Sequence, residues 1–203
     1  LGNPVEIAAT LSTLSLVRLK AGDAVGADVG EREALQIFRQ LGDRIGEAIG
    51  LLHLGQICLS IGDDAQALSN LEQCLTIARE VRNLEIEGEC ELLLGEVAFE
   101  GGDPTRAHLR FMRSLSVCSE DGDKRGEANA LWWLGKAALQ GGEIAVARAR
   151  LGDALQAFRA FEMREELLGC LEDHAALVHA EGSTELAVRI AAAASKTRER
   201  LGL

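Results

Sequence analysis

The chain carries four histidines, five cysteines and an excess of carboxylates, the raw material of metal and acid–base chemistry. Their spacing argues against such chemistry. His174 and His179 lie five residues apart, which on a helix sends them to different faces, whereas a zinc site needs its ligands to converge. Asp121-Gly122-Asp123 resembles the start of a calcium loop but lacks the later ligand spacing and the closing Glu, so it reads as a turn followed by a helix cap. Gly135-Lys136 has neither the preceding Gly nor the following Ser or Thr of a phosphate loop, and no G-x-S-x-G, G-x-G-x-x-G or H-E-x-x-H occurs. Cys58, Cys74, Cys90, Cys118 and Cys170 form no C-x-x-C pair and are odd in number, as expected of reduced thiols in a cytoplasmic protein. The expectation is a protein that is not an enzyme and holds no cofactor or metal.

The elements that would position these residues follow from composition and periodicity. Among 203 residues, 47% are apolar, 26% charged and only 3% aromatic, with two Pro and no Tyr, which favours helix over sheet. A net charge of −11 gives no footprint for nucleic acid or an anionic membrane surface. There is no basic-then-apolar leader, and no apolar run approaches the ~18 residues of a membrane span. Leu1 in place of Met points to an excised segment of a longer chain.

An internal period of forty organises everything else. Gly22, Gly62, Gly102, Gly142 and Gly182 keep it without a slip, each followed by a residue suited to a helix start: Asp23, Asp63, Asp103, Glu143 and Ser183. Five residues after each Gly stands Ala27, Ala67, Ala107, Ala147 or Ala187, and seven before it a small residue, Ser15, Gly55, Gly95, Gly135 or Ala175. Leu14, Leu54, Leu94 and Leu134 form a further column that His174 breaks, and Ala34, Cys74, Ser114, Ala154 and Ala194 form another. Gly past an apolar stretch supplies a left-handed helix end, and Asp after it caps the next helix. A second cap series, Asn3, Asp43, Asn83 and Asp123, has the same period, and Asn3-Pro4-Val5-Glu6 reads as a capping box. Each unit is therefore two helices, about 44–61 and 64–80 in the second. Leu51, Leu54 and Cys58 form one apolar stripe and Ala67, Leu71 and Cys74 its counterpart. Gly55 and Ala67 fall where the paired helices cross. Cys58, Cys74, Cys90 and Cys170 fall on packing positions, and His174 in the buried Leu column.

HEAT and armadillo units also run near forty residues, so the columns rather than the period discriminate. Leu54-Gly55…Gly62-Asp63…Ala67…Leu71…Cys74 resembles the tetratricopeptide repeat, whose usual unit is shorter at about 34 residues. The resemblance extends over all five copies, 1–40, 41–80, 81–120, 121–160 and 161–203. It implies an all-α, right-handed superhelical solenoid of about ten antiparallel helices in a single domain. Repeat 1 departs from the pattern, with Arg18 and Glu31 at positions the family keeps apolar. Gly26 and Gly30 lie inside its second helix, which is expected to be the loosest, at least over its first two turns.

In such folds the first helix of each repeat lines a concave groove. Mapped by resemblance, the groove residues are Ile49, Leu52, Gln56 and Leu59 in repeat 2, Glu89, Leu92, Glu96 and Phe99 in repeat 3, and Asn129, Trp132, Lys136 and Leu139 in repeat 4. One column reads Ser12, Leu52, Leu92, Trp132, Glu172, with an apolar middle and an aromatic anchor. Filling of inter-repeat space stands beside that role for Trp132 and is the preferred reading of Trp133. Residues 41–80 and 81–120 each carry a net −4 and residues 121–160 a net +1. Glu89, Glu96 and Glu100 share one helical face, either an acidic groove for a basic amphipathic segment or simply a solvated face. The family's clamp for C-terminal carboxylates is matched only in part, by Asn129 and Lys136, so capture of chaperone tails is not expected.

The closing stretch from Leu186 through Ala191–Ala194 to Lys196–Gly202 resembles the tail of helical-repeat regions in large bacterial regulatory ATPases, transcription activators and nucleotide cyclases. The resemblances together imply a cytoplasmic interaction scaffold in a bacterial signalling protein, with a peptide, a protein or an adjacent domain of the same chain as partner, and no nucleic acid or membrane. The alternative is an assembly module. Leu201-Gly202-Leu203 restates Leu1-Gly2 as if opening a sixth unit, and solenoid ends without polar caps expose apolar surface that can pair two copies.

Overall fold

The computed structural model describes residues 3–202; Leu1, Gly2 and Leu203, which figure in the reading of the two ends, lie outside them. Ten helices and no strand are found among the described residues. They are α1 Pro4–Lys20, α2 Ala24–Leu41, α3 Arg44–Ser60, α4 Asp64–Val81, α5 Leu84–Glu100, α6 Pro104–Asp121, α7 Lys124–Gln140, α8 Ile144–Ala160, α9 Arg164–Ala180 and α10 Thr184–Leu201. Helix starts recur every forty residues, 4, 44, 84, 124 and 164 in one series and 24, 64, 104, 144 and 184 in the other. The chain divides into two compact units between Gly102 and Asp103, inside the third repeat rather than at a repeat boundary.

Local chemistry accounts for the boundaries. Asp23, Asp43, Asp63, Asn83 and Asp103 each accept a hydrogen bond from the backbone N–H three residues on. Asn3 and Asp123 accept from the N–H two residues on, and each such cap contributes about 1 kcal/mol. The capping box does not close as expected, because Glu6 meets the Asn3 carboxamide at 3.5 Å rather than its backbone N–H. Glu143 and Ser183 also precede helices without a side-chain cap; the Glu carboxylate stands one methylene further from its own backbone than that of Asp. The forty-spaced glycines are all left-handed, φ 83° at Gly22 and 89° at Gly182. The alternate turns form a second such column. It holds Gly42, Gly122 and Gly202, with Arg82 (φ 56°) and Glu162 (φ 55°) at the same strained conformation.

Packing follows the small columns. A Cβ on Gly55 would stand 2.6 Å from Leu71 Cδ2, and one on Gly135 2.7 Å from Leu151 Cδ2, so these glycines set how closely the paired helices approach. The core of unit 1 gathers Leu51, Leu54, Ile57, Leu71, Cys74, Leu75, Cys90 and Leu94. That of unit 2 gathers Leu151, Phe158, Cys170 and Leu177. All five thiols are buried.

In repeat 1 the family-breaking residues have partners. Arg18 Nη1 donates to the Gly26 carbonyl at 3.1 Å, and the fully buried Glu31 accepts the Ser12 hydroxyl at 2.8 Å. A Cβ on Gly30 would stand 2.7 Å from Ser15 Oγ, so that glycine answers a close approach between α1 and α2. Helix α2 is continuous from Ala24 to Leu41.

Candidate partner-binding surfaces

Each unit presents one candidate surface, built on the first helices of its repeats. In unit 1 the residues Ile49 and Gln56 of α3 and Glu89, Leu92, Glu96 and Phe99 of α5 are half-buried or exposed. Gln56 Nε2 donates to Glu89 Oε1 at 2.8 Å, which ties the two helices across the face. Leu52 departs from its expected place: it belongs to the core, 4% exposed, and supports the strip from beneath. The cause is its packing partner, since α3 is flanked on both sides and buries Leu51, Leu52 and Leu54 together. Beside the face, Arg79 donates to Glu87 at 2.7 Å and to the buried Glu91 at 2.6 Å, so the Arg79 guanidinium is held charged, first by the hydrogen bond to Glu87.

The column that begins with Ser12 opens on a polar cluster. Ser12 Oγ lies 2.9 Å from His53 Nδ1 as well as donating to Glu31, and His53 Nδ1 is 3.4 Å from Glu31 Oε1. Serine, histidine and glutamate thus meet, but both oxygen partners face the same imidazole nitrogen. A nucleophile–base–orienter relay needs them on opposite nitrogens, so the cluster is not arranged for acyl transfer. His53 was not singled out from the sequence; the signal available was its place one residue past the column occupied by Ser12 in the preceding repeat.

In unit 2, α7 presents Asn129, Trp132 and Lys136, all half-buried. Trp132 is committed on three sides. Its Nε1 donates to Asp173 Oδ2 of α9 at 2.7 Å, its ring meets Phe158 edge-on at 5.6 Å and 85°, and the absence of a side chain at Gly169 makes room for its benzene edge. Trp133 stacks on Phe111 at 5.5 Å and 20°. Lys136 Nζ lies over both indoles, 3.9 Å from the Trp133 ring centre and 5.6 Å from that of Trp132. Trp132 therefore fills the α7–α9 junction while remaining half-buried. Burial pushes the Asp173 carboxyl above the ordinary range, against the hydrogen bond from Trp132 and the charge of Lys136. His174, next along α9, is half-buried with its Nδ1 enclosed and lacking a hydrogen-bond partner.

Among the described residues no group of His, Cys, Asp and Glu is arranged to hold a metal ion, and no helix is long and apolar enough to cross a membrane.

Residues 6–80, which span α1 to α4, match the model of the tetratricopeptide repeat. No curated protein matches the sequence. Among solved structures, BtubC from P. vanneervenii superposes with a TM-score of 0.78 at 19% identity, over 98% of this chain and 84% of that one. A Rap protein complexed with competence and sporulation factor gives 0.79 at 14% identity, covering 98% of this chain and 58% of that one. A Podosopora anserina kinesin light chain of TPR-like repeats gives 0.70 at 13% identity, covering 100% and 99%. The fold is that of tetratricopeptide-like helical repeats. The chain spans less than two thirds of the Rap protein it resembles. In this tetratricopeptide-like frame, the α3–α5 face of unit 1 and the α7 face of unit 2 are the faces of the first helix in each repeat.

Proposed function

We propose that this chain is a non-catalytic scaffold that holds a peptide or a neighbouring domain against the first-helix faces of its repeats, within a cytoplasmic bacterial regulatory protein. The observation that carries this reading is the composition of the unit 1 face. Half-buried Ile49 and Leu92 stand beside Gln56, Glu89 and Glu96, in a stretch where repeats 2 and 3 each carry a net −4. Apolar surface rimmed by carboxylates suits a basic amphipathic helix, which contributes buried area through one face and charge through the other. The Rap protein with the same fold, crystallised with competence and sporulation factor, lends support by analogy of fold alone. The resemblance of the closing stretch to bacterial regulators, with their ATPase, activator or cyclase domains, belongs to the same proposal. The test is titration of a Lys/Leu-rich amphipathic peptide by calorimetry. Binding should weaken with salt and fall at least tenfold in Leu92→Ala and in Glu89→Lys/Glu96→Lys; equal affinity in all three proteins would overturn the reading.

A second reading, assembly through an end, has its own observation. Leu14 is 42% exposed, whereas its counterparts Leu54, Leu94 and Leu134 are 1%, 2% and 3% exposed. Val17 is likewise bare where Ile57 and Leu177 are buried. The other end differs from the expectation of two apolar ends. Although Leu186 and Val188 are exposed, α10 places Ser195 and Arg198 where Leu35, Leu75, Phe38 and Phe158 are buried, and Arg198 pairs with Glu172 at 3.1 Å. That polarity favours pairing of two copies through α1 over head-to-tail stacking. Light scattering that shows a monomer at high concentration would overturn it.

A further inference from the structure

All five cysteines are buried, and Cys58, Cys118 and Cys170 touch no other thiol; the α4–α5 junction is different. Cys90 Sγ lies 2.8 Å from Cys74 Sγ, and both side chains are wholly buried. That separation falls between a covalent S–S bond, about 2.05 Å, and an ordinary non-bonded contact. The sequence frame explains why the sulfurs meet. The second helix of one repeat crosses the first helix of the next at columns where small residues face each other. The counterparts of the pair are Ala34 with Gly50, Ser114 with Ala130, and Ala154 with Cys170, all buried. At one crossing among these, both positions are Cys. Both cysteines sit in the same buried cluster as Leu71, Leu75 and Leu94, whose packing holds the two helices together at this crossing.

We infer that Cys74 and Cys90 form a redox site, closing to an intrachain disulfide that locks the second repeat to the third in unit 1. The oxidant is a peroxide. One sulfur, as thiolate, attacks a peroxide oxygen; the O–O bond breaks, and the departing hydroxide takes up the thiol proton as water, leaving a sulfenic acid. The second sulfur attacks that sulfur, the S–O bond breaks, and the hydroxyl leaves with the second thiol's proton as water. Two thiols and one hydrogen peroxide give one disulfide and two waters. The hydrogen bond with Cys74, and after it burial, push the Cys90 thiol up, which lowers its thiolate fraction and slows attack on the peroxide. Cys74 also donates to the Ala48 carbonyl at 3.2 Å, and closure removes that hydrogen bond. Glu89 and Glu91 flank Cys90, so the lock acts directly beneath the acidic α5 face, yet it does not depend on what that face binds.

The experiment is exposure of the folded chain to hydrogen peroxide, followed by intact mass and peptide mapping without reductant. The expected result is loss of two hydrogens, one cross-link joining residues 74 and 90, reversal by dithiothreitol, and a melting temperature above that of the reduced protein. Cys90→Ala, which installs the residue found at Ala130, should show no cross-link. Oxygen adducts without a link, a link involving Cys58, Cys118 or Cys170, or thiols that persist under peroxide that oxidises the same protein in urea would each overturn the assignment. The wild-type map decides the matter even if the variant folds poorly.

Discussion

The Trp132 indole donates to Asp173 at 2.7 Å across forty-one residues, and Ser12 meets His53 across the same interval. One repeat plus one residue is thus a recurring reach between successive first helices, filled by a hydrogen bond in each unit.

That bond favours the charged form of Asp173, but burial works against it more strongly. Its carboxyl is raised above the usual range by burial, so the folded protein binds a proton more readily than the unfolded chain. Stability from this group is therefore present at low pH and declines as pH rises from its ordinary value through the raised one. Asp173→Asn keeps a carbonyl acceptor for Trp132. The variant is expected to match or exceed the wild type at pH 7, and the difference should shrink toward pH 4. Denaturant unfolding followed by tryptophan fluorescence at both pH values measures this.

Two glycines in unit 2 should respond to the same substitution with opposite signs. Gly135→Ala puts a methyl 2.7 Å from Leu151 Cδ2 and 3.1 Å from its backbone nitrogen, and is expected to destabilise by about 1–3 kcal/mol. Gly152, within α8, has open space around its missing Cβ, and Gly152→Ala should stabilise by roughly 0.5–1 kcal/mol. Chemical denaturation of both variants tests the pair. Ala107→Leu, at a fully buried crossing, belongs with the first and should cost ~1–3 kcal/mol.

Glu162 stands at φ 55° in the turn column that is Gly at 42, 122 and 202. Relief of the left-handed strain outweighs the added chain entropy, so Glu162→Gly is expected to raise stability by roughly 0.5–1 kcal/mol. Gly122→Ala should lower it. Thermal melts of the two variants should move in opposite directions.

Leu14 and Val17 give the assembly reading its handle. Leu14→Lys with Val17→Glu should abolish any concentration-dependent dimer in sedimentation experiments while leaving the helical signal unchanged, because both side chains are substantially exposed. A dimer that survives the pair would place the interface elsewhere.

The glycine and alanine columns made the architecture readable, since left-handed turns and close helix crossings admit few residue types and so leave an in-phase trace. Helix starts at 44 and 64 and the burial of Ala67, Leu71 and Cys74 follow from that trace. The caps at Asp23, Asp63 and Asp103 follow for the same reason. Partners forty-one residues apart left no such mark. Asp173 and His53 are ordinary polar residues in sequence, and only the stacking of first helices brings them to Trp132 and Ser12.

Leu52 shows the limit from the other side: its column says groove, yet flanking helices enclose it, and enclosure is a property of neighbours rather than of spacing. The Cys74–Cys90 contact is alike in origin, for the sequence marks each as a small packing residue and only the crossing of α4 and α5 sets sulfur against sulfur. Local backbone chemistry, repeated every forty residues, determined the helices and their turns. Which side chains touch, and so where any chemistry or binding can occur, was decided by packing between elements distant in the chain.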